Sequence, residues 1–318
     1  MAQDTVTIFG GSGFIGRYIV ARMADRGWTV RVAVRHPSQA EFLKPLGDVG
    51  QIVPLRAPLQ QPEAVRAAIA GSGAVVNLVG LLHQKGRQRF GAVHVEGARL
   101  IAEAAAAEGI ERLVHFSALG ASASSPAGYA RSKAAGEKAV REALPQAVIL
   151  RPSVVFGPED DFFNRFAAMA RLNPVLPLIG GGRTRFQPVY VGDVADAAVA
   201  ALLDPQHRGK TFELGGPRVY SFEELMRFIL ETVGRRRLLL PVPFGAAELL
   251  GAVMELLPVP PLTRDQVLML RRDNVVSESA AGLAALGLAP RSVEVMVPPY
   301  LERHRRGGRW HAHLSGRD

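Results

Sequence analysis

Cysteine is absent from the 318 residues, so disulfides, thiolate metal sites and a cysteine nucleophile are excluded, and a reducing compartment is permitted. No run reaches the roughly 18 to 20 uninterrupted apolar residues that a spanning helix needs. The longest apolar region, Leu238–Leu262, is broken by Pro241, Pro243, Glu248, Glu255, Pro258, Pro260 and Pro261 and cannot cross a bilayer unaided. Acidic residues are outnumbered, 29 Asp and Glu against 38 Lys and Arg, for a net charge of +9. The cations are scattered except at Arg235–Arg237 and in the tail Arg303–Arg309, and no aromatic residues interleave with them. An anionic membrane surface or an acidic protein therefore suits this chain better than nucleic acid, which is not expected as a partner. The first strand candidate starts at Thr5, and no secretory or transit segment is expected ahead of it.

What is present is the material of a folded domain, 48% hydrophobic and 21% charged. From residue 5 to about 151, Val- and Ile-rich runs alternate with helical patterns. The strand candidates are Thr5–Phe9, Thr29–Val34, Gln51–Leu55, Ala74–Val79, Arg112–Phe116 and Ala147–Leu150. Helix candidates fall at Phe14–Arg26, Glu63–Ala70, Gly91–Glu108 and Tyr129–Leu144. This rhythm predicts βαβ units and an α/β fold, a Rossmann-type doubly wound parallel sheet with a smaller C-terminal α/β lobe. The expected division is a dinucleotide-binding domain at 1–157, with 187–215 interleaved into it through the helix Asp193–Leu203 and the strand Thr211–Leu214. The lobe at 158–318 would end in a basic, disordered tail.

The first strand runs into Gly10-Gly11-Ser12-Gly13-Phe14-Ile15-Gly16, which opens a helix. In that context the three glycines have separate tasks. Gly10 permits the tight turn, Gly13 lets the backbone approach a pyrophosphate, and Gly16 allows close helix packing. The helix N-terminus, around Ser12, Phe14 and Ile15, would offer N–H groups to the phosphates. The second strand ends at Arg35 and His36, where an acidic residue would hold a ribose 2′-hydroxyl. Arginine cannot accept such hydrogen bonds but pairs with a 2′-phosphate, which favours NADPH (NADP+) over NAD(H), with Arg17 and His36 as helpers. The bland alternative for Arg35 is a solvated strand-end cation. Asn77, Val79 and Gly80 close the fourth strand candidate, where a ligand at the carboxyl ends of the strands would lie.

Tyr129 and Lys133 stand four apart on a predicted helix and share one face. An ammonium beside the phenol would pull its pKa down from about 10 and make a usable acid or base, and the lysine can also hold a ribose hydroxyl. On an ordinary helix the same spacing carries no chemistry.

With the glycine turn and this pair, the chain resembles the short-chain dehydrogenase/reductase superfamily in its extended, epimerase-like branch. Leu150-Arg151-Pro152-Ser153-Val154-Val155-Phe156-Gly157-Pro158 is similar to the branch's loop near the nicotinamide, which implies Pro152, Val154 and Val155 as cofactor neighbours. Val189–Ala195 is similar to its later strand-to-helix junction. The resemblance implies Ser117, Tyr129 and Lys133 as catalytic or ribose-binding residues. Two departures stand out: Leu119 occupies the place of a Ser or Thr that would bind substrate, and Pro58 replaces an acidic residue after the third strand. Loss of such a donor costs on the order of a hundredfold to a thousandfold in rate.

Longer strings, among them Val93-His94-Val95-Glu96-Gly97-Ala98, Phe116–Ala121, Pro158–Phe166, Phe186–Val191 and Leu262–Val267, resemble the 39-kDa accessory subunit family of respiratory complex I in bacterial form. That resemblance implies a tightly held NADPH that does not turn over. It also implies docking on complex I core subunits near the quinone-binding region, at the junction of the peripheral and membrane arms, on the cytoplasmic face of the inner membrane. The apolar segment 244–257 is either a buried lobe helix or a contact with the membrane interface, and periodicity does not separate the two. Two other functions stay open. One is a free, soluble cytoplasmic NADP-dependent reductase, epimerase or dehydratase, and the other is a redox-sensing regulator. No metal site is expected.

Overall fold

The computed structural model describes residues 4–84, 86, 89–257 and 260–305. Of the expected disordered tail, everything from residue 306 onward lies outside the described residues.

A parallel sheet covered on both faces needs strands that are apolar throughout. The central strands come nearest to it, with β4 and β5 buried at every position. In chain order the elements are β1 (Thr5–Phe9), α1 (Phe14–Ala24), β2 (Thr29–Val34), β3 (Ile52–Arg56), α2 (Pro62–Ile69), β4 (Ala74–Asn77), α3 (Gly97–Ala107), β5 (Leu113–Phe116), α4 (Gly128–Ala143) and β6 (Val148–Pro152). The chain continues through β7 (Val155–Phe156), α5 (Phe162–Leu172), β8 (Val175–Ile179), β9 (Arg185–Phe186), β10 (Val189–Tyr190), α6 (Val191–Leu203) and β11 (Thr211–Leu214). It then forms β12 (Tyr220–Ser221), α7 (Phe222–Thr232), β13 (Leu238–Val242), α8 (Phe244–Met254) and α9 (Arg264–Met269).

Two compact units result. The first comprises 1–152, 191–214 and 277–289, and the second 153–190, 215–276 and 290–318. In the first, seven strands pair in the order β3-β2-β1-β4-β5-β6-β11, all parallel. The doubly wound sheet expected from the sequence is therefore present. Its order reverses between β1 and β4, and the crevice at such a reversal, beyond the carboxyl ends of the strands, is where ligands sit in this fold. Ten of the thirteen residues of α6 are buried, so it is a core helix. Arg22 of α1 holds it by donating to Asp196 at 2.5 Å and to the Gly192 carbonyl at 3.1 Å.

The second unit packs Phe156, Phe163, Phe186, Tyr220 and Phe222 around Leu225, Met226 and Ile229 of α7. A capping box starts α7: the Ser221 hydroxyl accepts from the Glu224 amide at 3.1 Å, and the Glu224 carboxylate accepts from the Ser221 amide at 2.6 Å. This arrangement satisfies two otherwise orphaned amides. Among the described residues no helix is long and apolar enough to cross a membrane.

Two local features differ from the sequence expectation. The predicted helix Gly91–Glu108 begins with a π-helical turn, Gly91–Glu96, ahead of α3. The connection from β2 to β3 carries 3₁₀ turns at Pro37–Leu46, a stretch outside every helix and strand candidate.

Candidate functional site

The glycine turn is built as its spacing asks. Gly10 adopts a φ of +79°, and its amide donates to the Ala33 carbonyl of β2 at 3.3 Å. A Cβ at Gly16 would stand 2.4 Å from the Gly10 carbonyl oxygen and 2.6 Å from the Gly11 Cα, so a glycine is required there. At Gly13 a Cβ would meet only the Gly10 oxygen, at 3.2 Å. The space beyond it is open. Gly13 is also the N-cap of α1, with no side-chain cap and no acidic residue in the first turn, so amides and the positive end of the helix dipole face that space. Ser12, Phe14 and Ile15 are half-buried beside it.

Arg35 and His36 follow β2 and are exposed. Arg17, one turn into α1, donates from Nε to the Gly13 carbonyl at 3.5 Å, and its guanidinium lies 5.2 Å over the Phe42 ring. At the end of β4, Asn77 accepts the Val79 amide at 3.1 Å and donates from Nδ2 to His115 Nδ1 at 3.1 Å. His115 thus carries its proton on Nε2, and that nitrogen is buried without a hydrogen-bond partner among the described residues, as is the Ser117 hydroxyl at the end of β5. Buried polar atoms of this kind are rare in folded proteins. Leu119 is buried, and its amide donates to the Pro152 carbonyl at 3.0 Å.

Tyr129 and Lys133 lie in the first two turns of α4. Lys133 donates from Nζ to the Phe116 carbonyl at 2.9 Å. Burial lowers its pKa to about 8, against the pull of the Glu137 carboxylate one turn on. The phenol behaves opposite to the sequence expectation: burial pushes Tyr129 up to about 12. Its ring packs edge-on against Phe90, centroids 5.9 Å apart, and against His94, 5.5 Å apart. Burial, and then the charge of Lys133, hold both His94 and His115 near 3, so both imidazoles are neutral.

Sequence reasoning missed the network beneath α4. Glu137 accepts two hydrogen bonds from Arg151, at 2.8 and 2.7 Å, and Arg151 reaches Glu213 of β11 at 3.5 Å. Glu213 in turn accepts the Ser277 amide at 2.9 Å. His115 was missed too, although a histidine in the apolar string Leu113-Val114-His115-Phe116 was a visible signal. The first unit therefore brings Gly10–Gly16, Arg35, His36, Asn77, Val79, Gly80, Ser117, Tyr129, Lys133 and Pro152 to elements at the carboxyl edge of its sheet. Val154 and Val155 belong to the second unit, where the Val154 amide donates to Asn274 Oδ1 at 3.1 Å and Val155 pairs with Val189.

The NAD dependent epimerase/dehydratase family model matches residues 6–215. The chain is 37% identical over 314 residues to the NADH dehydrogenase (ubiquinone) 1 alpha subcomplex subunit 9, mitochondrial, of Arabidopsis thaliana, covering 95% of this chain and 78% of that protein. It is 32% identical over 256 residues to the ceramide reductase of Caulobacter vibrioides, covering 80% and 78%. Among solved structures it is similar to the Thermus thermophilus UDP-glucose 4-epimerase in complex with NAD, with a TM-score of 0.70, 22% identity and coverage of 94% and 98%. The chain belongs to the NAD dependent epimerase/dehydratase family and, within it, to the family of the complex I subunit 9 proteins.

Proposed function

We propose, with that family membership as the premise, that the protein is an NADPH-binding, non-catalytic accessory subunit of respiratory complex I (NADH:quinone oxidoreductase). It would stabilise the junction of the peripheral and membrane arms, docked on core subunits near the quinone-binding region and peripheral to the cytoplasmic face of the inner membrane. The observation that carries this reading is the likeness to subunit 9 over 95% of the chain.

The site supports a bound nicotinamide dinucleotide. The open face of Gly13 and the uncapped start of α1 suit a pyrophosphate held by Gly10, Ser12, Gly13, Phe14, Ile15 and Gly16. The orphaned Ser117 hydroxyl and the Lys133 ammonium suit hydroxyl groups of the nicotinamide-side ribose, beside Asn77, Val79, Gly80 and Tyr129. Arg35, exposed and without a hydrogen bond or ion pair among the described residues, suits a 2′-phosphate, with His36 next to it. When bound, the nucleotide could supply hydride chemistry, but the protein groups needed to use it are poorly set. The phenol is held far above neutral pH, and Leu119 offers no donor to a reacting carbonyl.

The segment 244–257 adds a surface for the membrane interface. In α8 only Ala247 and Gly251 are buried, while Leu249 is 70% and Leu256, just beyond the helix, 86% exposed. An NADP-dependent reductase is the second reading, favoured by the retained Tyr129 and Lys133 and by the ceramide reductase relative.

Substitution of Arg35 by Ala in the native source tests the proposal. Wild-type protein should bind NADPH tighter than NADH by about ten- to a hundredfold, the worth of one or two charge-assisted hydrogen bonds. The variant should lose that preference in calorimetry and lower the NADH:quinone activity of membranes. Equal affinities in the wild type, or full membrane activity from a variant that no longer holds nucleotide, would contradict it.

A further inference from the structure

His94 uses both ring nitrogens on two different elements. Nε2 accepts the Leu81 amide at 2.9 Å, and Nδ1 donates to the Ser132 hydroxyl at 2.8 Å. The Ser132 hydroxyl donates onward to the Tyr129 carbonyl at 2.7 Å. The direction of the chain is fixed, because an amide can only donate. Nε2 must therefore be bare and Nδ1 protonated, a tautomer set by its partners. The ring stacks on Phe90 with centroids 5.3 Å apart and an interplanar angle of 16°.

Two backbone features place the ring. The π-helical turn Gly91–Glu96 widens the start of α3 at His94, and such turns cluster at functional positions in helices. On α4, Gly136 leaves room for the His94 carbonyl oxygen, which a Cβ there would approach to 2.1 Å. The result is a clamp between the turn after β4 and the helix that bears Tyr129 and Lys133. Between its jaws lies Gly80, where a Cβ would come within 3.4 Å of Lys133 Nζ and 3.7 Å of His94 Nε2.

We infer that His94 is the positioning residue of the dinucleotide site: its accepting imidazole pins Leu81 to α4 and thereby fixes the Val79–Leu81 backbone beside the Lys133 ammonium. This rests on the dinucleotide-binding part of the proposed function and names the residue that sets the geometry of the nicotinamide side. Asn77 holds the same turn from the other end through the Val79 amide. The turn is thus tied at both ends, and Gly80 between them stays close to Lys133. A histidine that merely filled the core would need its ring stacked on Phe90 and no partner at Leu81.

Two variants separate these roles. His94→Gln keeps an acceptor for Leu81 and a donor for Ser132, while His94→Leu keeps apolar bulk and loses both. NADPH affinity by calorimetry and Leu81 amide exchange by NMR are the readouts, with thermal unfolding as the check on folding. His94→Leu should bind NADPH about tenfold or more weakly, the loss of one or two buried hydrogen bonds, and its Leu81 amide should exchange faster. His94→Gln should stay within about threefold of the wild type, with Leu81 still protected. A His94→Leu protein with wild-type affinity, or a His94→Gln protein as weak as His94→Leu, overturns the inference. If His94→Leu does not fold, Ser132→Ala decides by the same readouts, since it cuts the chain at its α4 end; unchanged affinity and exchange there overturn the inference. A wild-type protein that binds neither NADPH nor NADH ends the dinucleotide reading itself, an outcome distinct from a failure of His94 alone.

Discussion

In the proposed site the charge that matters most is that of Lys133. Its ammonium is buried, depressed to about 8, and steadied by the Phe116 carbonyl and the Glu137 carboxylate. His94 and His115, the titratable side chains on the facing elements, are already neutral near 3. They therefore add no pH dependence above about 4. If the ammonium holds a ribose hydroxyl, nucleotide binding raises its pKa, and binding takes up a proton once the free protein has lost one. Affinity should then be level from pH 6 to about 8 and fall by up to tenfold per pH unit above it. The stability of the unliganded protein runs the other way. Because the folded pKa lies below that of an unfolded lysine, the cost of burying the cation is present below pH 8 and is relieved as pH rises towards 10. Calorimetric NADPH titrations from pH 6 to 10, with Lys133→Met as the control, test this. A flat profile in the wild type, or the same fall in Lys133→Met, would remove the ammonium from the ligand set.

At the scale of elements, the sequence told most about the pieces that local chemistry dictates. The glycine turn was legible because its roles are backbone roles: the left-handed φ of Gly10 and the contact of Gly16 with Gly10 and Gly11 admit few other residues. Strands β1, β2 and β11 were legible to the residue, since each is a short run rich in β-branched or aromatic residues that ends at a glycine or an arginine. The π-helical turn at Gly91–Glu96 was not, because its register is set by His94 reaching Leu81 and Ser132, partners 13 and 38 positions away. The rise of the Tyr129 pKa was illegible for a similar reason. Residue spacing puts a lysine near a tyrosine, but only packing shows that the Tyr129 ring lies against Phe90 and His94. Helix α8 was ambiguous in sequence, and the structure leaves its Leu249 and Val253 70% and 58% exposed. Its buried residues, Ala247 and Gly251, are small, and a Cβ on Gly251 would come within 2.9 Å of the α9 start at Arg264. That close approach seats one face and turns the leucines outward. Leu249→Ser with Leu256→Ser should therefore leave the unfolding midpoint nearly unchanged, within roughly 0.5 kcal/mol, while weakening retention on washed membranes several-fold. Retention equal to the wild type would show that this apolar face serves another purpose.

The whole molecule combines a family's frame, a candidate site and an exposed apolar surface. The first unit keeps the nucleotide-binding frame of the epimerase/dehydratase family. Leu119 is buried there and carries no hydroxyl, and the half-buried Tyr129 ring packs edge-on against Phe90 and His94. The second unit is an aromatic-cored α/β body with leucines exposed along α8 and at Leu238, which is 62% exposed. A protein so built suits retention of a nucleotide and attachment to a larger assembly better than turnover of a soluble substrate. Mass analysis of the native NADH:quinone oxidoreductase, purified from the chain's own source and measured together with its bound nucleotide, tests this most directly. The account predicts one copy of the chain per complex carrying one NADPH, both retained when Tyr129→Phe replaces the wild type. A complex that lacks the chain, with an isolated protein that oxidises NADPH against a carbonyl substrate and stops when Tyr129 becomes Phe, would contradict it.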